Sequence, residues 1–333
     1  MAHAPGGMLA APQPRRVAGS PVQHAPEPLA TWLQRQLGVE LQGQRPVGGG
    51  CIHRAWELQL ADGRRLFAKT NRPALLPVLE AEADGLAALH RAAAELRIPQ
   101  PLALGICPAG SPTGQGEAVL VLDWLELQHG SGGTPESRDQ AWWQLGANLA
   151  QLHRASLQQP SGGFGWSRDN FIGSAPQANG WMASWSQFFG QRRLGTQLQQ
   201  AEASGRRLHG AAALLERLPR WLEAHHPDPC LVHGDLWSGN AALVNGGGGG
   251  GALFDPAVYR GDREVDLAMA ELFGGFPTSF FQGYDATWPR PQGYQQRVAL
   301  YNLYHLLNHA NLFGGSYWQQ AGETINGLLS QYP

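Results

Sequence analysis

The sequence predicts an α+β chain: a small, mostly antiparallel sheet carrying one main helix, then a larger helix-rich part. Three observations predict it. Strand-forming runs separated by tight turns fill the stretch before Leu127. Apolar residues at helical spacing dominate after residue 140. A Gly/Ser segment, His129–Thr134, stands between the two as a connector. The order gives an extension over 1–27, a first lobe over 28–126 and a second lobe over 127–333.

Residues 1–27 are rich in Ala, Pro and Gly without an amphipathic period, the pattern of a disordered extension. Arg15 and Arg16 in an acid-poor stretch share the composition of a transit peptide but not its Arg-rich amphipathic helix. Pro28–Leu37 reads as a short helix, with Leu29, Trp32, Leu33 and Leu37 on one face and Gly38 as the stop. Two strands follow, Cys51–Leu60 and Arg65–Thr70, joined by the turn Ala61-Asp62-Gly63, with Gly48, Gly49 and Gly50 before the first. A helix over Leu75–Ala94 places Leu79, Leu86 and Leu89 at helical spacing, and Leu102–Ile106 and Ala118–Trp124 read as strands. Beyond the connector, Leu145, Leu149, Leu152 and Ser156 mark a helix over 140–157, and further helices are expected at 182–201, 211–225, 263–273 and 294–312. Two short strands, Ala241–Val244 and Ala252–Phe254, flank Asn245 and the six glycines Gly246–Gly251, which read as a loose hairpin turn.

Composition removes several function classes. Charged residues make up 15% of the 333 and the formal net charge is −2, so no broad positive potential exists for nucleic acid, and the aromatic residues are better explained by packing. No apolar run approaches ~18 residues, which argues against a membrane span. Cys51, Cys107 and Cys230 are too few and too dispersed for a disulfide framework or a CxxC zinc site, and a reducing, cytoplasmic setting is expected. His305 and His309 have zinc-like spacing, but no HExxH acid accompanies them and the helix around them is apolar. There is neither a GxSxG elbow nor a GxxxxGK[ST] loop.

One count points to a site. Of the 24 basic residues a single one, Lys69, is lysine. A chain this biased toward arginine keeps a lysine where a compact ammonium is needed, since the arginine fork is wider. Lys69 belongs to an ordered set: glycines before a strand, Lys69 on the next strand, a Glu on the following helix, then His233-Gly234-Asp235-Leu236-Trp237-Ser238-Gly239-Asn240, then Phe254-Asp255-Pro256-Ala257. Asp235 precedes Asn240 by five residues and Asp255 follows Asn240 by fifteen. Phosphoryl transfer from ATP needs these parts: a carboxylate to take the acceptor hydroxyl proton, an Asn oxygen and a second carboxylate for Mg²⁺, an ammonium on the phosphates and glycine-flanked amides over them. Hard oxygen donors suit Mg²⁺ rather than zinc. Glu80 and Glu82 both lie early in the helix after Lys69 but point about 200° apart, so only one can face it.

HGDLWSGN, followed by DPAVYRGDREVDLAM and GGFPTSFFQGY, resembles the fructosamine/ketosamine-3-kinase family over about residues 28–330, as do FIGSAPQANGW, SWSQFF and RRL. That family belongs to the protein-kinase-like fold beside aminoglycoside phosphotransferases and choline kinases, and the Trp-Ser pair after HGDL separates it from the former. The resemblance implies that Asp235 is the catalytic base, Asn240 and Asp255 bind Mg²⁺ and Lys69 contacts the ATP phosphates with Glu82 as its partner. It further implies that Gly48, Gly49 and Gly50 cover the phosphates, and that the hinge reading adenine lies at Val121–Leu125, including Asp123, Trp124 and Leu125. Trp237 would border the sugar acceptor and Asp266 would brace the catalytic loop. The implied activity is phosphorylation of the 3-hydroxyl of a fructosamine, ribulosamine or erythrulosamine on lysine, hence protein deglycation. An aminoglycoside- or choline-type phosphotransferase is the enzyme alternative and a pseudokinase binding module the non-enzyme one. Cys51 falls on the implied phosphate-covering loop, where a thiol would make the site redox-sensitive and permit a disulfide-linked homodimer beside the monomer. Two departures stand out: Ser184-Trp185 where family members often carry an acid before the Trp, and the hexaglycine turn, expected to affect mobility only.

Overall fold

The structure is a computed structural model and describes residues 27–48, 52–93, 95–108, 116–128, 134–244 and 251–331. Most of the expected N-terminal extension, Gly49, Gly50, Cys51, nearly all of the expected connector and most of the hexaglycine turn lie outside these residues. The chain divides into two compact units, one of residues 1–76 and 102–124, the other of 77–101 and 125–333.

In the first unit, helix α1 (Glu27–Leu37) precedes strands β1 (Leu41–Val47), β2 (Arg54–Leu60) and β3 (Arg65–Asn71). Strands β4 (Pro101–Cys107) and β5 (Glu117–Asp123) complete an antiparallel sheet of order β1-β2-β3-β5-β4. Leu29, Trp32 and Leu33 of α1 pack with Leu58, Leu60, Leu66, Ala68, Val119 and Val121 on one face. Strand alternation then puts Lys69, between Ala68 and Thr70, on the opposite face, in register with Ala55 and Leu120. Strand β1 was not foreseen: Gly43 and Pro46 interrupt its pattern, and both are tolerated because it is the sheet's edge. The expected strand Cys51–Leu60 begins only at Arg54, since Ile52 and His53 bend.

The second unit opens with α2 (Leu76–Ala92), preceded by a single 3-10 turn at Pro73–Leu75. The segment 28–126 is therefore shared between the units. α2 has its contacts in the second, where an added Cβ on Gly85 would lie 3.2 Å from Val258 and 3.3 Å from Pro256. α3 (Pro135–Ser156) starts five residues before its expected 140, because Thr134 accepts the Ser137 N–H (3.2 Å) and Pro135 fills the first turn. The expected helix 182–201 is three pieces: α4 (Trp185–Phe188), a π-helical stretch Phe189–Gly195 and α5 (Thr196–Ala203). The π turn lets Arg193 point inward, fully buried, over the rings of Tyr259 (3.9 Å) and Phe188 (4.6 Å), with hydrogen bonds to Ala178 O and Asn179 Oδ1, both 2.7 Å.

α6 (Ala211–Trp221) ends short of the expected 225, whereas α7 (Glu264–Leu272) falls within 263–273. α8 (Thr278–Thr287) was not foreseen, α9 (Tyr294–Phe313) matches its expected span to one residue, and α10 (Ser316–Gln331) was also missed. α3 and α8 touch backbone to backbone at two glycines: a Cβ on Gly146 would sit 1.9 Å from Phe280 O, and one on Gly283 1.8 Å from Trp143 O. Three pairs of three-residue strands complete the second unit. β6 (Asn170–Ile172) pairs with β7 (Ala175–Gln177), β8 (Cys230–Val232) with β11 (Tyr259–Gly261), and β9 (Ala241–Leu243) with β10 (Gly251–Leu253). The last pair is antiparallel, as expected of the strands on either side of the glycine run. The fold is the α+β arrangement expected, a sheet-rich part followed by a helical one. Among the described residues, no helix is long and apolar enough to cross a membrane.

Candidate active site

Two loops of the second unit carry the acids and the amide. The first, 233–240, runs from β8 to β9; the second, 254–258, runs from β10 to β11. They are stitched at both ends: Ala257 N donates to His233 O (2.9 Å) and Phe254 N to Asn240 O (3.1 Å). Gly234, at φ 80°, is required by this approach, since a Cβ there would lie 2.1 Å from Ala257 O. Asp255 is the non-glycine residue with positive φ, 55°, among the described residues, a costly conformation of the kind that collects at functional sites.

The stitching brings Asp235, Asn240 and Asp255 together. Asn240 Nδ2 donates to Asp235 O (2.9 Å), Asp235 Oδ2 (3.1 Å) and Asp255 O (3.3 Å). With its nitrogen so committed, Asn240 presents its carbonyl oxygen as the atom available to a cation. The donors here are carboxylate and amide oxygens, which fit a hard ion such as Mg²⁺. Burial pushes the Asp235 carboxyl up, the Asp255 charge pushes it further, and the Asn240 hydrogen bond only partly offsets them, leaving it at about 7. A carboxyl poised there can take a proton from a hydroxyl and release it again near neutral pH.

Asp266 of α7 fixes the loop that carries Asp235. Its Oδ2 accepts from His233 N (2.7 Å) and its Oδ1 from Gly234 N (2.8 Å). His153 of α3, fully buried, donates from Nε2 to Asp266 Oδ2 (3.2 Å) and accepts at Nδ1 from the Tyr284 hydroxyl (2.8 Å). Arg263 in turn donates to that hydroxyl (3.2 Å). Burial alone would raise the Asp266 carboxyl, but the hydrogen bonds from His153 and the Gly234 N–H outweigh it and hold it below the usual range. Burial keeps His233 neutral; its Nε2 donates to Phe254 O (3.0 Å) and its Nδ1 accepts the Asp235 N–H (3.3 Å). The sequence reading missed His153, although it falls four residues after Leu149 on the buried stripe of α3, where a histidine signals a paired polar group.

Glu82 is buried on α2, one turn before Gly85 and its contacts with Pro256 and Val258. Glu80 is 41% exposed and pairs with Arg168 at 3.6 Å. Trp237 is exposed, the benzo edge of its indole against Gly239, whose added Cβ would come within 2.3 Å of it. In the first unit, Lys69 is buried on β3, Gly48 ends the β1 segment, and Asp123 closes β5 ahead of Trp124, whose ring lies beneath Arg65 (5.1 Å). Leu125 opens the second unit's main segment. Burial drives His305 and His309 neutral, and His309 Nδ1 donates to His305 O (2.8 Å).

A family model described as fructosamine kinase matches residues 27–331. The chain belongs to the fructosamine kinase family. A probable ketoamine kinase of Synechocystis is 44% identical over 290 residues, 87% of this chain and 91% of the relative. The chloroplastic protein-ribulosamine 3-kinase of Arabidopsis thaliana is 34% identical over 326 residues, 96% and 92% of the two chains. Among solved structures, a putative fructosamine-3-kinase from Thermobifida fusca superposes with a TM-score of 0.76 at 27% identity, covering 91% of this chain and 98% of that one. An aminoglycoside phosphotransferase in ternary complex with AMP-PNP and hygromycin B gives 0.58 at 19%, covering 90% and 98%, a likeness of fold alone. This fructosamine kinase family member is thus a phosphotransferase of the ketoamine kinase group.

Proposed function

We propose that this family member moves the γ-phosphoryl group of ATP to the 3-hydroxyl of a ketoamine carried on a protein lysine. The observation that carries the reading is the Asp235–Asn240–Asp255 set: a buried carboxyl raised to about 7, beside an amide and a second acid of metal-binding type. Asp235 takes the proton of the acceptor hydroxyl as its oxygen bonds to the γ-phosphorus and the bond from that phosphorus to the β-phosphate bridging oxygen breaks, releasing ADP. Asn240 and Asp255 would hold Mg²⁺, which supplies neutralisation of phosphate charge when bound. Lys69, with Glu82 as its partner, gives an ammonium to the α- and β-phosphates. Gly48, Gly49 and Gly50 leave room for backbone over the phosphates, and Asp123, Trp124 and Leu125 supply the segment for adenine. Trp237 offers an exposed indole to the sugar, and Asp266 keeps Asp235 in place. Phosphorylation at O3 makes the adduct prone to eliminate and free the amine, so the role is deglycation.

The test is ATP consumption with fructosyl-, ribulosyl- and erythrulosyl-lysine beside kanamycin and choline. Turnover confined to one or more ketoamines is expected. Turnover of kanamycin or choline alone would replace the acceptor assignment, and no turnover of any acceptor by protein that binds ATP would favour a binding module.

A further inference from the structure

The second unit carries an aromatic strip that none of the roles above uses. Phe273, at the C-terminal end of α7, is 38% exposed, and Phe313, at the end of α9, is 69% exposed. His309 joins them, its ring centroid 4.9 Å from Phe273, 5.6 Å from Phe313 and 5.1 Å from Tyr317 of α10. Four rings in contact, two of them open to solvent, make a patch of the kind that marks an interaction site. No carboxylate, lysine or arginine takes part in these ring contacts, and burial keeps His309 uncharged.

The strip is continuous with the loop that bears the proposed acceptor residue. Phe273 leads through Gly274 to Gly275, where φ is 94° and an added Cβ would lie 2.5 Å from Ser238 Cβ. Ser238 is the neighbour of Trp237. A side chain at Gly275 would collide with that loop, so glycine holds the strip and the loop at contact distance. A ketoamine at Trp237 is the tip of a lysine side chain, and its polypeptide must leave across a neighbouring surface. The two ring-to-ring steps, 4.9 and 5.6 Å, limit the strip to at most about three residues of extended chain at ~3.4 Å each.

We infer that Phe273, His309, Phe313 and Tyr317 form a docking strip for the polypeptide flanking the modified lysine, with preference for an apolar side chain within about three residues of it. The inference rests on the ketoamine reading above. It makes the enzyme selective among modification sites on proteins, and it separates recognition of the carrier from recognition of the sugar.

The test compares Nα-acetyl ribulosyl-lysine with two heptapeptides carrying ribulosyl-lysine, one with Leu and one with Ser two residues away, for wild type, Phe313→Ser and Phe273→Ser. Wild type should favour the Leu peptide. Either variant should raise its KM by about five- to tenfold, the scale of one exposed aromatic contact, with kcat and the Nα-acetyl substrate unchanged. Equal wild-type kcat/KM for the two peptides overturns the strip and leaves the kinase reading intact. So does an equal loss on peptide and Nα-acetyl substrate, which marks a structural role. Conversion of a wild-type dimer to a monomer by Phe313→Ser without kinetic change would show that a second copy covers the strip. Absence of turnover on every ketoamine overturns both readings together. Circular dichroism and melting of each variant verify that it is folded.

Discussion

At the scale of single residues, the proposed chemistry makes separable demands. In the proposed reaction Asp235 takes the acceptor proton, whereas the phosphates are assigned to other groups. Asp235→Asn should therefore keep ATP-analogue affinity and lose about 10²–10⁴-fold in kcat. Calorimetric titration with AMP-PNP and initial rates on ketoamine-lysine check this, and near-normal turnover would remove Asp235 as the base. Lys69→Arg keeps the charge on a strand position that is 8% exposed, but a planar fork cannot occupy the place of an ammonium. Its kcat/KM for ATP should fall by about 10²-fold or more, as when one preorganised donor is removed. Retention of most activity would deprive the single lysine of its meaning. His153→Phe removes the donor from Asp266 and keeps a ring in its place. In the fold Asp266 titrates below its unfolded value near ~3.9, so it contributes stability above that pH and loses it as pH falls through the lower, folded value. Without His153 that contribution shrinks. A stability loss of about 2 kcal/mol at pH 7 is expected, with acid unfolding moved to higher pH. Thermal melts from pH 3 to 7 read both, and an unchanged acid limb would count against the pairing.

At the scale of elements, the close approach of α3 and α8 is the most exposed to test. Gly283→Ala puts a methyl where Trp143 O already stands, 1.8 Å away, and helix backbone cannot yield as a flexible side chain would. We expect a loss of about 1–3 kcal/mol, seen as a lower urea midpoint, and a matching loss for Gly146→Ala from the other side. Their double variant should cost less than the sum, because one separation of the helices relieves both clashes. These glycines also show why part of the fold was illegible. α8 reads as loop because Gly283 interrupts its pattern and Pro277 precedes it, yet Gly283 is there for packing. β1 was hidden by Gly43 and Pro46, which only its edge position allows, and the π turn at Phe189–Gly195 leaves no trace in a 3.6-residue period. Legible features were the local ones: α9 from its apolar stripe, the β2–β3 turn from Asp62-Gly63, the β9–β10 hairpin from its flanks. The spacing of Asp235, Asn240 and Asp255 was legible because two short loops between strands set it. His153 was not, because its partner Asp266 is 113 residues away.

At the scale of the whole molecule, each compact unit carries residues with a proposed nucleotide role: Lys69 in the first, Glu82, Asn240 and Asp255 in the second. Their contributions can be separated by what each does to ligand-linked stability. A ligand that binds only the folded chain, at about a hundred times its Kd, adds ~2.7 kcal/mol. For a chain of this size that corresponds to a melting shift of roughly 4 °C. ATP with Mg²⁺ should produce such a shift in wild type, and ATP with EDTA a smaller one, since the cation that Asn240 and Asp255 would hold is then removed. Asp255→Asn is the informative variant: asparagine tolerates the positive φ of 55°, so the backbone is kept while the charge is lost. Its melting point without ligand should stay near that of wild type, and the increment that depends on Mg²⁺ should shrink toward zero. Lys69→Arg should show the converse, a weakened response to ATP in EDTA as well as in Mg²⁺. If the wild-type shift were the same with and without EDTA, the metal assignment to Asn240 and Asp255 would fall, while the assignment of Asp235 to the acceptor proton would stand on its own test.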